Sequence, residues 1–170
     1  LDSSTLTIGS NTTVQGQVQH SALPAGTIVQ VVSSIHAQDQ NHSSTAFTTV
    51  KSDLQVQITP RFASSNIIIH VSGHGYGNAT AQYIYVDLYK NASDVTETYN
   101  LSGVTAGLQQ RAQHGTWGPI IITYLDTCSE NSTSEKTYAV TWRAHASGGL
   151  VYFGWGGNAK ASMFAYEVTT

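Results

Sequence analysis

Two neighbouring stretches decide the fold, Leu54-Gln55-Val56-Gln57-Ile58-Thr59-Pro60 and Asn66-Ile67-Ile68-Ile69-His70-Val71-Ser72. The first alternates apolar and polar residues with a period of two, which is typical of a strand with one face in the core. Pro60 has no backbone N–H to donate to a neighbouring strand, so it predicts the end of this one. A turn is predicted at Ala63-Ser64-Ser65, and the continuous apolar run after it predicts a more deeply buried strand.

Short segments of the same kind recur along the chain, separated by turn residues such as Gly, Asn and Ser. The predicted strands are Thr27–Ser34, Thr45–Thr49, Leu54–Thr59, Asn66–Ser72, Gln82–Tyr89, Pro119–Asp126, Thr137–Ala144, Leu150–Gly154 and Ser162–Val168. Such a series predicts an all-β chain, an antiparallel β-sandwich or jelly roll. Its core is expected to contain Ile58, Ile68, Val86, Val140 and Phe164. The one helix-compatible segment, Thr105–Gln113, is short and interrupted by glycine.

Composition narrows the classes of function. Charged residues make up 10% of the 170 residues, against roughly a quarter in ordinary soluble domains. The formal net charge is −3, and no run of Lys or Arg predicts binding to nucleic acid. No apolar stretch approaches the roughly 20 residues of a membrane span, so no membrane partner is expected. A surface poor in charge also leaves room for a subunit interface, because charges are depleted at interface cores.

Cys128 is the only cysteine, so no disulfide can form within one chain. We expect it to be a partly buried small residue near a turn, with an interchain bridge as the alternative. The lack of disulfides favours assembly in a reducing compartment. Asn-x-Ser/Thr sequences begin at Asn11, Asn41, Asn78, Asn91, Asn100 and Asn131. They are either glycosylation acceptors or simply turn residues, and the sequence leaves both open.

The order of several segments resembles one known family. Residues 5–16, Thr-Leu-Thr-Ile-Gly-Ser-Asn-Thr-Thr-Val-Gln-Gly, look like a repetitive fibre stem. Ile122–Asp126 followed by Lys136–Arg143 looks like the family's "YLD … TYxVxxR" strand pair, and Ala161–Val168 looks like its closing strand. With the strands on either side of Pro60, these segments resemble the C-terminal β-sandwich, jelly-roll-like head domain of tail-fibre proteins of bacteriophages and marine viruses.

The resemblance implies a function and an assembly. Residues 1–24 would be a stem or linker and residues 25–170 the head. The protein would be a homotrimer in the virion, in contact with other virion proteins, and would attach to a glycan or protein of the host surface. An alternative is a capsid or tail decoration protein, or a filament subunit, without a receptor of its own. A carbohydrate-binding module is a weaker alternative, which predicts a monomer and a Ca²⁺ site.

Three aromatic residues flanked by glycines, Tyr76, Trp117 and Trp155, are candidates for receptor binding. His74 and Asn158 are polar neighbours of these rings. Exposed Tyr and Trp present a flat apolar face and a polar edge, which suits both sugar rings and protein partners. We expect these rings at loop tips far from the stem. The alternative is that the tryptophans cap the core or a subunit seam.

A second set of candidates is the strand that contains Tyr83, Tyr85 and Tyr89. These tyrosines alternate with apolar residues, so they are predicted on the face turned away from the core, as part of the subunit interface. Asp87 lies among them. We expect it to be a hydrogen-bonded partner of Tyr or Arg on that face and not a catalytic acid.

No residue pattern predicts catalysis or a bound metal. The acids are scattered, and no Ser-His-Asp arrangement or paired carboxylates stand out. His70 and His74 are four residues apart, a spacing that brings two ligands together on a helix but not elsewhere. The expectation is therefore a protein without enzymatic activity, metal or cofactor.

Overall fold

A computed structural model describes residues 23–36, 40–47, 51–78, 83–92, 95–105, 107–112, 117–154 and 160–170. The expected stem lies outside these residues except for its last two positions, and so do Trp155 and Asn158. No α-helix occurs in the described ranges. The strands are β1 Ile28–His36, β2 Gln40–His42, β3 Lys51–Ile58, β4 Asn66–Gly77, β5 Tyr83–Ala92, β6 Val95–Thr98, β7 Gln109–Ala112, β8 Gly118–Asp126, β9 Lys136–Ala144, β10 Val151–Gly154 and β11 Ala161–Val168.

The strands form two antiparallel sheets. The front sheet has the order β1-β11-β4-β8, and β10 and β2 continue it beside the C-terminal part of β4. The back sheet has the order β3-β9-β5, with β6 and β7 on the far side of β5. The pairings are nested along the chain: β1 with β11, β3 with β9, β4 with β8, and β5 with β6 and β7. This nesting is the topology of a jelly roll, so the predicted fold class is confirmed.

The turn between β3 and β4 is fixed by a carboxylate from the other end of the chain. As predicted, β3 ends at Ile58, before Pro60. The buried carboxylate of Glu167 in β11 accepts hydrogen bonds from the backbone N–H of Arg61, at 2.8 Å, and of Phe62, at 3.0 Å. Turn N–H groups that have no strand partner are thereby satisfied, as buried polar groups must be.

The core lies between the two sheets, and the predicted core residues divide into two groups. Ile58, Val86 and Val140 are buried there, as predicted. Ile68 and Phe164 are instead half-buried on the outer face of the front sheet. An uninterrupted apolar run does not show which residues point inward, and a shift of one residue reverses every side chain. The inward positions of β4 are Ile67, Ile69 and Val71, each fully buried.

The glycine-rich segment 73–77 is the end of β4 and not the predicted loop. Gly73 and Gly75 are inward positions of this strand. A Cβ on Gly73 would lie 3.0 Å from Cζ of Phe153, and a Cβ on Gly75 would lie 3.2 Å from Cδ1 of Ile120. These glycines therefore make room for large core side chains, which is a different role from freeing the backbone to turn.

The outer face of the back sheet is covered by the chain itself. The segment after β6 folds back over β5, where Leu101 donates a backbone hydrogen bond of 2.9 Å to Leu88. Tyr89 is fully buried and Tyr85 is 8% exposed. Both tyrosines lie on the predicted face, away from the core between the sheets. The expectation that they are exposed there is wrong for the single chain. The predicted helix-compatible segment forms β7, which pairs with β5.

Tyr83 and Asp87 complete this face. Tyr83 is half-buried, with its ring 5.2 Å from that of His145. Asp87 is fully buried and binds the covering segment through the hydroxyl and backbone N–H of Ser102, not through Tyr or Arg as predicted. Burial raises the pKa of Asp87, against the opposing effect of these hydrogen bonds. The role of this strand in a subunit interface stays a prediction.

Candidate functional site: a row of aromatic rings

Three aromatic residues occupy neighbouring positions on the outer face of the front sheet, and their ring centroids form a triangle. Tyr76 of β4 is the central ring, and its direct cross-strand partner in β10 is Tyr152. Trp117, just before β8, lies on the other side of Tyr76 because Gly118 is paired with Gly75. The ring centroids of Tyr76 and Trp117 are 5.5 Å apart, and those of Tyr76 and Tyr152 are 5.4 Å apart. The centroids of Trp117 and Tyr152 are only 6.1 Å apart, so the three rings pack together as a cluster. We call these three adjacent positions, Tyr152, Tyr76 and Trp117, the ring row.

The ring row is partly exposed, and the strand that carries its central residue packs on the core. All three residues are half-buried. Below Tyr76, Gly75 and Gly77 face the core, so the strand lies close to the packed interior. At the end of the row, Asn78 accepts a hydrogen bond of 3.1 Å from the backbone N–H of Leu150 and thereby ties β4 to the start of β10. Rings on paired strands keep a fixed spacing, which is what recognition of a rigid ligand requires.

The structure brings two of the predicted receptor-binding residues together and adds one that the sequence did not indicate. Tyr76 and Trp117 are neighbours, and His74 lies two positions before Tyr76 on the same face of β4. Tyr152 was not predicted, because only the pairing of β10 with β4 places it beside Tyr76. Trp155 and Asn158 lie outside the described residues, so their roles stay predictions. The expectation of loop tips is wrong for Tyr76, which is in a strand.

This arrangement suits ligands that present a flat apolar face. Tyr152 meets Tyr76 edge-on, at an interplanar angle of 71°, while Trp117 is tilted by 36°. Phenol and indole rings stack on the C–H face of sugars and on apolar protein groups, and their O–H and N–H groups donate hydrogen bonds at the rim. The row carries no formal charge, so recognition here depends on shape and stacking.

A second constellation is a buried charge cluster between β5, β8 and β9. Lys90 Nζ lies 2.6 Å from Asp126 and 2.8 Å from Glu130, and Lys136 Nζ lies 2.8 Å from Glu130. The Tyr138 hydroxyl donates a hydrogen bond of 2.6 Å to Asp126. Two ammonium groups thus balance two carboxylates in a site where an unpaired charge is costly.

The charge cluster contains the donor set nearest to a metal site among the described residues. Ligand atoms of Asp126, Cys128 and Glu130 lie within 4.8 Å of one another. Lys90 and Lys136 already neutralise both carboxylates, and burial raises the pKa of the Cys128 thiol to about 11, which disfavours the thiolate that a metal needs. The arrangement is therefore that of a structural ion network. Burial of Cys128 also argues against the alternative of an interchain bridge.

We expect the charge cluster to make stability depend on pH below neutrality. Burial alone raises the pKa of Glu130, but hydrogen bonds from Lys136 and Lys90 outweigh it and lower the pKa from 4.5 to about 2. The lowered pKa contributes stability that is complete above pH 4.5 and is lost as the pH falls towards 2. Denaturant unfolding between pH 7 and pH 2 measures this loss. A Glu130→Gln variant should be less stable at pH 7 and lose less stability over the acid range; an unchanged acid slope would contradict the assignment.

Comparison with known proteins adds little to these observations. No family model matches the sequence, and no curated protein matches it. Among solved structures, that of infectious bursal disease virus Gx strain is similar at 15% identity and a TM-score of 0.39, over 83% of this chain and 37% of that chain. A mutant VP2 protein of the same virus, in T=1 particles, is similar at 10% identity and a TM-score of 0.38, over 95% of this chain and 40% of that chain.

The chain therefore spans about two fifths of the length of the viral chains to which it is similar. Both are structures of a virus or of particles formed by its VP2 protein. Similarity at this level carries no conclusion about function. We therefore infer function from the geometry of this chain's own surfaces. Within the described residues, no helix is long and apolar enough to cross a membrane.

Proposed function

We propose that the chain is a structural protein of a virus particle whose β-sandwich attaches to a glycan or protein of the host surface. The ring row is the observation that carries the attachment role. Two rings from paired strands and a third from the residue just before β8 share one outer surface at centroid spacings of 5.4 to 6.1 Å. The viral role is supported by the sequence resemblance to fibre heads and by the jelly-roll topology, which is common in capsid and lectin domains.

Attachment through the ring row would be weak at each site. A ring that stacks on a sugar contributes on the order of 1 kcal/mol, so a single row supports only modest affinity. Several copies on one particle raise the avidity without any new contact. The resemblance implies three copies, and we propose a homotrimer in contact with other virion proteins. Its mass in solution should be three times the 18.2 kDa of one chain.

Removing the rings should weaken attachment without unfolding the protein. For Trp117→Ala and Tyr76→Ala we expect binding to host cells, or to a glycan array, to fall by about fivefold for each ring at a single site, and by more on a multivalent particle. Trp117→Phe keeps a ring and should retain part of the binding. Binding is measured together with the circular dichroism spectrum, which reports the fold.

Tyr99→Ala is the matched control for the ring variants. Tyr99 is a half-buried ring on the back sheet, 4.9 Å from the ring of Tyr89, so its removal tests whether loss of any tyrosine weakens binding. If Trp117→Ala and Tyr76→Ala bind like the wild-type chain while folded, the ring row is structural and the attachment role through it is rejected.

The second candidate is a decoration or filament subunit without a receptor of its own. The observation that favours it is the apolar outer surface of the front sheet, where Val31, Ile35 and Leu125 are each at least half exposed. A surface of this kind suits contact between proteins more than contact with sugars. Intact attachment after loss of the rings, together with assembly that depends on this surface, would favour the second candidate.

A further inference from the structure

An apolar surface of defined outline covers the outer face of the front sheet, away from the ring row. Strand pairing aligns Val31, Tyr166, Ile68 and Leu125 in a single row across β1, β11, β4 and β8. The next row along the strands contains Phe164, and the one after it begins at Ile35 in β1 and ends at Ile121 in β8. We call these three rows the front patch.

The four corners of the front patch are exposed aliphatic side chains. Val31 is 51% exposed and Leu125 is 50% exposed, at the two ends of the first row. Ile35 is 63% exposed and Ile121 is 59% exposed, at the two ends of the third row. The half-buried rings of Phe164 and Tyr166 stack between them, with centroids 6.2 Å apart. Exposed aliphatic side chains grouped with aromatic rings on one face of a sheet are typical of a site of interaction.

The front patch also lacks charge. Its three rows contain twelve positions, and the residues at these positions that are not apolar are Ser33, His70, Ser72, Thr123 and Ser162. No Asp, Glu, Lys or Arg occurs at any of the twelve. His70 is hydrogen-bonded to Thr123 at 3.1 Å, so the polar centre is satisfied within the sheet. Depletion of charge at the centre of a patch is the compositional sign of a protein–protein interface.

The size of the front patch is that of a small protein–protein contact. Four strands about 4.8 Å apart and three rows about 6.7 Å apart give about 400 Å² in projection. The accessible area over side chains exceeds the projected area, and Ile28, 55% exposed, extends the patch by a further row. Even so, the patch lies at or below the lower end of the roughly 600–1,000 Å² per partner of stable interfaces, so the association through it is expected to be weak.

We propose that the front patch is the surface through which copies of this chain associate. Two identical patches without charge meet with no like-charge repulsion, although each chain carries a net charge of −3. The most exposed side chains of the patch, at its four corners, are aliphatic, which favours a protein partner over a glycan.

The front patch and the ring row can act at the same time. The nearest row of the patch crosses β4 at Ser72, about 13 Å along the strand from Tyr76 at 3.3 Å per residue. Self-association through the patch therefore leaves the rings accessible at one end of the sheet. This inference does not rest on the attachment role, and each of the two has its own set of variants.

The test is the mass of the chain in solution as a function of concentration. Wild-type chain is expected to sediment at three times 18.2 kDa at concentrations up to about 100 μM. Ile35→Glu and Leu125→Glu each place like charges in the proposed contact, so we expect association to weaken by about 100-fold or more and the variants to sediment as monomers. Val104→Glu is the matched control, since Val104 is 51% exposed but lies in the segment that covers the back sheet. It should associate like the wild-type chain.

A milder double variant tests the proposal even if the Glu variants do not fold. Ile35→Thr with Leu125→Thr keeps residues that favour strands, removes apolar area and should weaken association by about tenfold. Monomeric Glu variants with an unchanged circular dichroism spectrum support the proposal. A wild-type monomer at about 100 μM, or Glu variants that associate as tightly as Val104→Glu, overturns it.

Discussion

We expect the free energy of unfolding of a Lys136→Met variant to be about 3–5 kcal/mol lower than that of the wild-type chain. Lys136 is fully buried, and its ammonium group lies 2.8 Å from Glu130. Methionine fills a similar volume but removes one positive charge, so Lys90 alone must balance Asp126 and Glu130. A buried carboxylate that lacks a neighbouring cation destabilises the folded state. The expected loss of stability is a large part of the roughly 5–15 kcal/mol that is typical of a domain. Urea denaturation at pH 7 measures it.

A second substitution tests whether the cost is electrostatic. Lys136→Met combined with Glu130→Gln leaves a neutral pair of Lys90 and Asp126. The double variant should therefore be more stable than the sum of the single effects, by about 1–3 kcal/mol of coupling. Strict additivity, or a Lys136→Met variant within 1 kcal/mol of the wild-type chain, would show that the ion network does not bear on stability in this way.

Gly107→Ala is expected to destabilise the chain by several kcal/mol, whereas Gly103→Ala should cost only about 1 kcal/mol. Both glycines have a φ of +69°, so the cost of a left-handed backbone is common to both. A Cβ on Gly107 would lie 2.4 Å from the carbonyl oxygen of Val86, while a Cβ on Gly103 meets no atom within 4 Å. Val86 is in β5 beneath this segment, so the clash forces the segment away from the back sheet.

Thermal and urea unfolding of the two glycine variants, measured side by side, separate the clash from the dihedral cost. The expected additional signal in Gly107→Ala is faster hydrogen exchange at Leu101, whose N–H bonds to Leu88 where the segment covers β5. Equal destabilisation by the two substitutions would contradict this prediction. It would mean that the segment moves to accommodate the added methyl group, so that the close approach of Gly107 to Val86 does not contribute to stability.

Local chemistry explains what the sequence could predict. The end of β3 follows from Pro60 alone, and the strand from Leu54 onward follows from strict alternation, so both were predicted correctly. Alternation also places Val86 and Val140 in the core. Where alternation is absent, as at Ile67-Ile68-Ile69, the inward face is set by the partner sheet, and the prediction for Ile68 was wrong. Phe164 was misplaced because the small Ala165 takes the inward position.

The remaining features depend on contacts between residues distant in the chain. Tyr152 becomes part of the ring row only through its pairing with Tyr76. Lys90 and Asp126 meet because β5 and β8 belong to different sheets that pack near one another. Tyr85 and Tyr89 alternate as exposed residues do, yet both are buried, Tyr85 under the guanidinium of Arg143 and Tyr89 against the ring of Tyr99. No short-range pattern carries such information.

Cys128 gives the protein a practical property. Its thiol is buried at 3% exposure, and burial, with Asp126 nearby, raises its pKa to about 11. Both the burial and the raised pKa disfavour the thiolate, which is the form that reacts with maleimides. Cys128 in the native chain is therefore expected to react slowly with thiol reagents. A fluorophore or spin label can be attached to a cysteine newly introduced beside Tyr76 or at Ser33 without first removing Cys128.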